Sequence, residues 1–226
     1  MADARVTDGE QVRTLPDALR VILSRTGPRL IVASAAAAWA ARAALGRPSL
    51  ADAAICVGVA AWWPLQEWLA HKHLLHLRPD PARPLVGDPV FARRHRAHHR
   101  DPRDVDHTLL PVAVIAVAVP VNALLWAAAL RSARPALTGI AAYSTMAAVY
   151  EWTHFLVHTG VRPASAFFRR VRRNHRLHHY RNENFWLGFT LPWVDQWLGT
   201  EPDPREVPHS KTARDLFGDA AREDGG

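Results

Sequence analysis

Residues 109–130 read LLPVAVIAVAVPVNALLWAAAL. The stretch carries no charge, and Asn122, Pro111 and Pro120 are its only irregular features. At 1.5 Å rise per residue, about 20 helical residues cross a hydrocarbon core of roughly 30 Å, so the stretch predicts a transmembrane helix. A second apolar segment runs from Ala136 to Val157 and ends in Tyr150-Glu151-Trp152-Thr153-His154. Two shorter ones precede them: Leu30 to Leu45, interrupted by Arg42, and Ala53 to Leu65, which is uncharged. Together these two suit a helical hairpin turning at Gly46-Arg47-Pro48, with Arg42 snorkelling to the interface. The fold expected is all-α, an integral membrane four-helix transmembrane bundle.

The rest of the 226 residues frames that bundle. The mean hydropathy of −0.12 is mild, because polar ends and two arginine-rich stretches dilute the apolar segments. The net charge is +7, and 26 of the 28 basic residues are arginine. A basic balance fits nucleic acid or an anionic membrane surface; the apolar segments choose the membrane, and no nucleic-acid partner is expected. Arg93, Arg94, Arg96, Arg100 and Arg103 follow the second apolar segment, and Arg169, Arg170, Arg172, Arg173, Arg176 and Arg181 follow the fourth. Two hairpins place both stretches, and both termini, on one side, which the positive-inside rule makes cytoplasmic. The single cysteine, Cys56, excludes an intrachain disulfide and reads as a small buried hydrophobe. Residues 1–28 form a polar segment without signal-peptide features, in which Leu15–Leu23 suits a short amphipathic helix on the membrane surface. Residues 29–200 form the membrane domain, and 201–226 a polar tail, partly ordered at best.

Ten of the 13 histidines fall into four clusters: His71 and His76; His95, His98 and His99; His154 and His158; His175, His178 and His179. Residues three and four apart share a helix face, so each triplet can present its imidazoles from one turn, as can His154 with His158. His71 and His76, five apart, are about 140° out of phase on an ideal helix. A helix end or distortion near His71 has to correct that, and His73, three before His76, competes as a ligand. The pairs lie at the ends of the second and fourth apolar segments and the triplets just beyond, so all four clusters gather at one membrane face as a cytoplasmic helical cap. Ionisable groups at such depths are costly and usually functional. Glu67 lies four residues before His71, and Glu151 three before His154. Metal-bound imidazoles commonly donate their second N–H to a carboxylate, which is the role expected of both. Imidazole suits iron, zinc, copper and nickel alike. Ten ligands exceed one ion, and two ions with about five each is the natural division.

The order His-x4-His, His-x2-His-His, His-x3-His, His-x2-His-His resembles the fatty acid hydroxylase superfamily, which includes sterol desaturases and fatty acid 2-hydroxylases. Arg94-His95-Arg96-Ala97-His98-His99-Arg100-Asp101-Pro102 is similar to its second box, and His178-His179-Tyr180-Arg181-Asn182-Glu183-Asn184-Phe185-Trp186-Leu187-Gly188-Phe189-Thr190 to its last. Trp193-Val194-Asp195-Gln196-Trp197-Leu198-Gly199-Thr200 resembles a closing Trp-Asp-x-x-Phe-Gly-Thr motif, with Leu198 in place of the aromatic. The resemblance implies that the ten histidines are the metal ligands and that Asp195 joins Glu67 and Glu151 in supporting them. It leaves His73, His107 and His209 outside, with the last two read as surface residues. It implies two iron ions, zinc being the other candidate, and O2-dependent hydroxylation of a lipid from the bilayer, foremost a fatty acyl chain. Electrons would come from a separate ferredoxin, cytochrome or reductase, since the 66 residues before Glu67 contain no histidine to ligate haem. Desaturation of a fatty acid, sterol or carotenoid is the alternative. A zinc hydrolase, a metal-handling protein and bis-histidine haem binding compete from other classes, although no His-Glu-x-x-His occurs. Trp62, Trp63, Trp68, Trp152, Trp186, Trp193 and Trp197 read equally as walls of an acyl channel and as core or interfacial aromatics.

Overall fold

The computed structural model describes residues 6–80, 82–83, 87–162 and 164–217. Both ends of the chain, including 218–226 of the expected tail, lie outside the described residues. Among the described residues the protein is helical, without a strand.

Helix α1 spans Leu15–Leu23, as expected; the Thr14 side chain caps it by accepting the Asp17 N–H. Ala18, Val21 and Ile22 join a core cluster with Phe155, Phe168 and Phe189. On the other side Leu15, Leu19 and Leu23 form an exposed stripe at four-residue spacing. The hairpin is present: α2 covers Thr26–Ala44 and α3 covers Leu50–Ala70, the turn using Gly46 at φ +108° and a Ser49/Asp52 capping box. Arg42 departs from expectation. Instead of reaching the interface it is buried, donating to Asp52 Oδ1 at 2.8 Å and to the Gly46 carbonyl at 3.0 Å. A carboxylate one turn into α3 satisfies the guanidinium where it lies, which removes the reason to snorkel. Cys56 is half-buried rather than enclosed.

Helix α4 covers Val90–Arg100, α5 Val105–Thr108, α6 Val112–Leu130, α7 Ala133–Val157, α8 Ala166–Tyr180 and α9 Trp193–Trp197. Helix α7 is central and packs on α2, α3 and α6. Small residues let the backbones approach: Ser34 and Ser144 hydroxyls meet at 3.2 Å, Trp39 Nε1 donates to Thr145 at 3.0 Å, and Gly139 leaves its Cβ space to the Trp126 ring. Helix α6 presents the opposite character. Of its residues only Ile115 is buried, while Val117, Val121, Leu124 and Leu125 face outward. Residues Val105–Leu130 are the one stretch among the described residues long and apolar enough to cross a membrane, and only 17% of its apolar window is buried. The histidine-bearing α4 and α8, with the end of α7, gather beside the C-terminal end of α3.

Candidate metal centre

The first histidine pair is rescued by a local change of helix type. Helix α3 passes at His71 into a π-helical turn, His71–Leu75, in which the His76 N–H bonds the His71 carbonyl. The wider turn brings residues five apart onto one face, and the His71 and His76 rings stand 4.9 Å apart. His73 is excluded by the same turn: it is exposed and lies outside both histidine sets.

All ten histidines converge, in a division the linear clusters do not display. His71, His76, His95, His99 and His178 form one set, and His98, His154, His158, His175 and His179 the other; within each set the candidate ligand atoms lie within 4.8 Å of one another. Each triplet is therefore split rather than aimed in one direction. Adjacent helical residues diverge by about 100°, so His99 joins His95 while His98 turns to the second set. In the same way His179 joins His175 while His178 crosses to the first.

Hydrogen bonding shows what the sets are built to hold. The Nδ1 atoms of His71, His99 and His178 donate to the backbone carbonyls of Leu187, Ala213 and Phe185 at 2.6, 2.8 and 2.9 Å. A neutral imidazole that donates from Nδ1 has only a lone pair on Nε2. Yet His99 Nε2 and His178 Nε2 face each other at 3.2 Å. Two lone pairs cannot bond each other; a cation between them satisfies both. The buried Nε2 atoms of His76, His98 and His154 have no hydrogen-bond partner among the described residues. Burial, and after it neighbouring imidazoles, holds His95, His98, His175 and His179 well below the ordinary histidine range; burial brings His99 to about 3. The rings are thus kept neutral, the form that binds metal. The donor set fits a pair of transition-metal ions.

The carboxylates act at one remove from where they were expected. Neither Glu67 nor Glu151 accepts from an imidazole among the described hydrogen bonds. Glu67 Oε1 accepts the Phe189 and Thr190 N–H groups at 2.7 and 3.0 Å, and Oε2 accepts the Thr190 hydroxyl. Glu151 Oε1 accepts the Leu110 N–H at 3.2 Å. The physical reason is competition: loop N–H groups reach the carboxylates first, while loop carbonyls take the imidazoles. Asp195 completes the loop, accepting from Leu187 N–H at 3.0 Å, Gly188 N–H at 2.8 Å and the Thr200 hydroxyl at 2.6 Å. Burial raises its pKa to about 6 against the pull of those three bonds. Between the two carbonyls that hold His178 and His71, Trp186 adopts φ 55°, a left-handed conformation that costs of order 1 kcal/mol or more in a non-glycine residue. Its N–H is fixed to the Thr200 carbonyl at 2.7 Å.

Sequence reasoning missed the backbone acceptors at Phe185, Leu187 and Ala213, since a carbonyl has no side-chain signature. Ala213 also shows that the expected tail is part of the site. Val207, Ala213 and Leu216 are buried, the Ser210 N–H donates to the Arg181 carbonyl at 2.7 Å, and Thr212 donates to Glu183 at 2.6 Å. His107 stands beside Asp104, and His209 beside Arg181. Of the tryptophans, Trp63 lines an apolar cavity of about 620 Å³ that reaches Glu67, and Trp62 a neighbouring one; Trp68 and Trp186 are buried, and Trp197 is exposed.

Residues 56–200 match the family model described as fatty acid hydroxylase. The chain is 27% identical over 141 residues to a dihydroceramide fatty acyl 2-hydroxylase of Arabidopsis thaliana, covering 62% of this chain and 57% of that protein. It is 28% identical to a ceramide very long chain fatty acid hydroxylase of Saccharomyces cerevisiae (69% and 39%) and 24% identical to the fatty acid 2-hydroxylase of Homo sapiens (66% and 39%). The chain thus spans between two fifths and three fifths of these relatives' lengths. A solved structure of full-length scs7p, with only its hydroxylase domain visible, superposes with a TM-score of 0.61 at 25% identity, covering 81% of this chain and 66% of that one. With the family model matching more than half of its length, the chain belongs to the fatty acid hydroxylase family.

Proposed function

We propose that this protein is a membrane oxidoreductase that uses a dinuclear iron centre and O2 to hydroxylate a lipid, on a fatty acyl chain. The observation that carries the reading is the division of ten histidines into two sets of five with converging ligand atoms. The relatives' names, all fatty acid or fatty acyl hydroxylases, favour hydroxylation over desaturation. Imidazole admits iron or zinc, and an unactivated C–H bond calls for the redox-active one. Bound iron would supply the oxidant for that bond, with electrons from a separate ferredoxin, cytochrome or reductase. The chain's own residues hold and exclude. Carbonyls of Phe185, Leu187 and Ala213 orient the imidazoles, and the buried Phe189 ring, 4.9 Å from His154 and 5.2 Å from His175, keeps water from them. The apolar cavity beside Glu67 takes the acyl chain.

In this reading residues 29–200 are the membrane domain, α2, α3, α6 and α7 cross the bilayer, and the histidines and both termini lie on the cytoplasmic side. The outward apolar face of α6, the leucine stripe of α1 and the arginines of α4 and α8 support it. The test is metal analysis of the purified protein together with lipid mass spectrometry of cells with and without it. Iron and a lipid heavier by one oxygen are expected. A haem Soret band, or zinc alone with an unchanged lipid profile, overturns the reading; a lipid lacking a hydrogen pair moves it to desaturation.

A further inference from the structure

Two adjoining cavities run along α3 and α7, and α6 walls the outer one. The inner one, of about 620 Å³, reaches Glu67 and Tyr150 beside the histidines. The outer one, of about 590 Å³, lies farther along α3 and α6, against Val59 and Asn122, and is open at its outward side, where Gly58, Val121 and Leu125 are exposed. From Gly58 to His71 is about 20 Å along a helix of 1.5 Å rise per residue. Gln66 and Tyr143 line both cavities. Gln66 Nε2 donates to the Tyr143 hydroxyl at 2.8 Å, and Trp62 Nε1 donates to Gln66 Oε1 at 2.9 Å. A hydrogen-bonded bar thus joins α3 to α7 across a mainly apolar passage, whose other polar lining is Glu67 and His73 at the inner end and Asn122 at the outer.

We propose that the two cavities are chambers of one acyl tunnel and that the Gln66–Tyr143 pair determines which acyl lengths are accepted. The proposal rests on the reading of this protein as a fatty acyl hydroxylase. A short chain fills the inner chamber alone. A longer chain has to part the pair, which leaves the Gln66 Nε2 donor and the Tyr143 hydroxyl without each other while Trp62 still holds Gln66 Oε1, and a polar group stripped of its partner away from water is costly. It recovers that cost only by burying further methylenes in the outer chamber, each a favourable transfer. The opposed costs create a length threshold. Interhelical bonding alone accounts for the contact between α3 and α7, but not for its position at the junction of two cavities.

The experiment is competitive binding of stearic and lauric acid, against a fluorescent fatty acid, to the full chain in detergent, with melting temperature measured in parallel. Gly58→Phe fills the outer chamber; beyond its own turn of helix and chain neighbours, no described atom lies within 4 Å of a Cβ placed at Gly58, so the ring has room. It is expected to lower the stearic-to-lauric affinity ratio at least ten-fold. Gln66→Leu/Tyr143→Phe keeps the volume and removes the bond, and is expected to raise that ratio at least three-fold. Equal ratios in all three proteins overturn the proposal, and with a lower melting temperature in the double variant identify the pair as interhelical bonding only. Failure of the unaltered protein to bind either acid overturns the fatty acyl reading itself.

Discussion

Glu67 and Phe189, 122 residues apart, are joined by a 2.7 Å hydrogen bond from the Phe189 N–H to the Glu67 carboxylate. The same oxygen takes the Thr190 N–H, so α3 grips the loop whose Leu187 carbonyl orients His71. The acid is a fastener for the loop rather than a partner of the ring.

That distinction is measurable. Glu67→Ala strands two buried N–H groups and a hydroxyl, each a loss of about 1–3 kcal/mol, and should lower both stability and metal content. Glu67→Gln keeps an oxygen acceptor for both N–H groups and should retain most of each. Metal per chain and denaturant midpoint decide the matter. A Gln variant as metal-poor as the Ala variant would restore the carboxylate–imidazole role.

The splitting of the triplets gives a second prediction. His98 and His99 are neighbours in the chain but belong to different sets. Each single alanine variant should therefore lose about half the metal, because an ion held by five ligands is released when its site is broken. The double variant should lose nearly all, and His73→Ala should lose none. Loss of all metal from either single variant would mean one shared site. Activity should vanish in all three His98 and His99 variants.

Much of this site was legible because periodicity is a property of side chains. The four clusters, the hairpin at Gly46 and the bounds of α1 follow from spacing and turn chemistry. The phase conflict between His71 and His76 correctly announced a distortion, and the π-turn is what resolved it. What was not legible was set by long-range competition. Whether Glu67 meets an imidazole or a loop N–H depends on a segment 122 residues later, and whether Arg42 snorkels depends on Asp52 across a turn. The C-terminal segment looked like a tail because its apolar residues, Val207, Ala213 and Leu216, are sparse and without period, although all three are buried.

The Arg42–Asp52 pair yields a third prediction. Asp52 also accepts from the Ser49 N–H at 2.7 Å and from the Thr138 hydroxyl, tying the hairpin to α7. Breaking a buried ion pair leaves an uncompensated charge, whereas replacing both partners by apolar groups is often tolerated. Asp52→Leu should therefore lower the melting temperature more than Arg42→Leu/Asp52→Leu does. Metal content should follow folding in both. A double variant less stable than the single one would contradict a net cost for the stranded arginine.

The C-terminal segment yields the last. Leu216 is 3% exposed and holds φ 65°, so packing fixes the turn that presents the Ala213 carbonyl to His99 at 2.8 Å. Leu216→Ala opens a cavity, a change that costs about 2–5 kcal/mol in a packed core, whereas Leu216→Met keeps volume and should cost less than about 1.5 kcal/mol. Because the His99 acceptor moves with this turn, Leu216→Ala should also weaken metal retention, by roughly the 10–100-fold typical of losing a ligand's hydrogen-bond partner. The deficit should fall on the set containing His99 and spare the set containing His98. A chelator challenge that releases metal in two phases reads this directly: one of the two phases should quicken in Leu216→Ala and neither in Leu216→Met. Equal acceleration of both phases would assign the segment a general stabilising role with no particular bearing on His99.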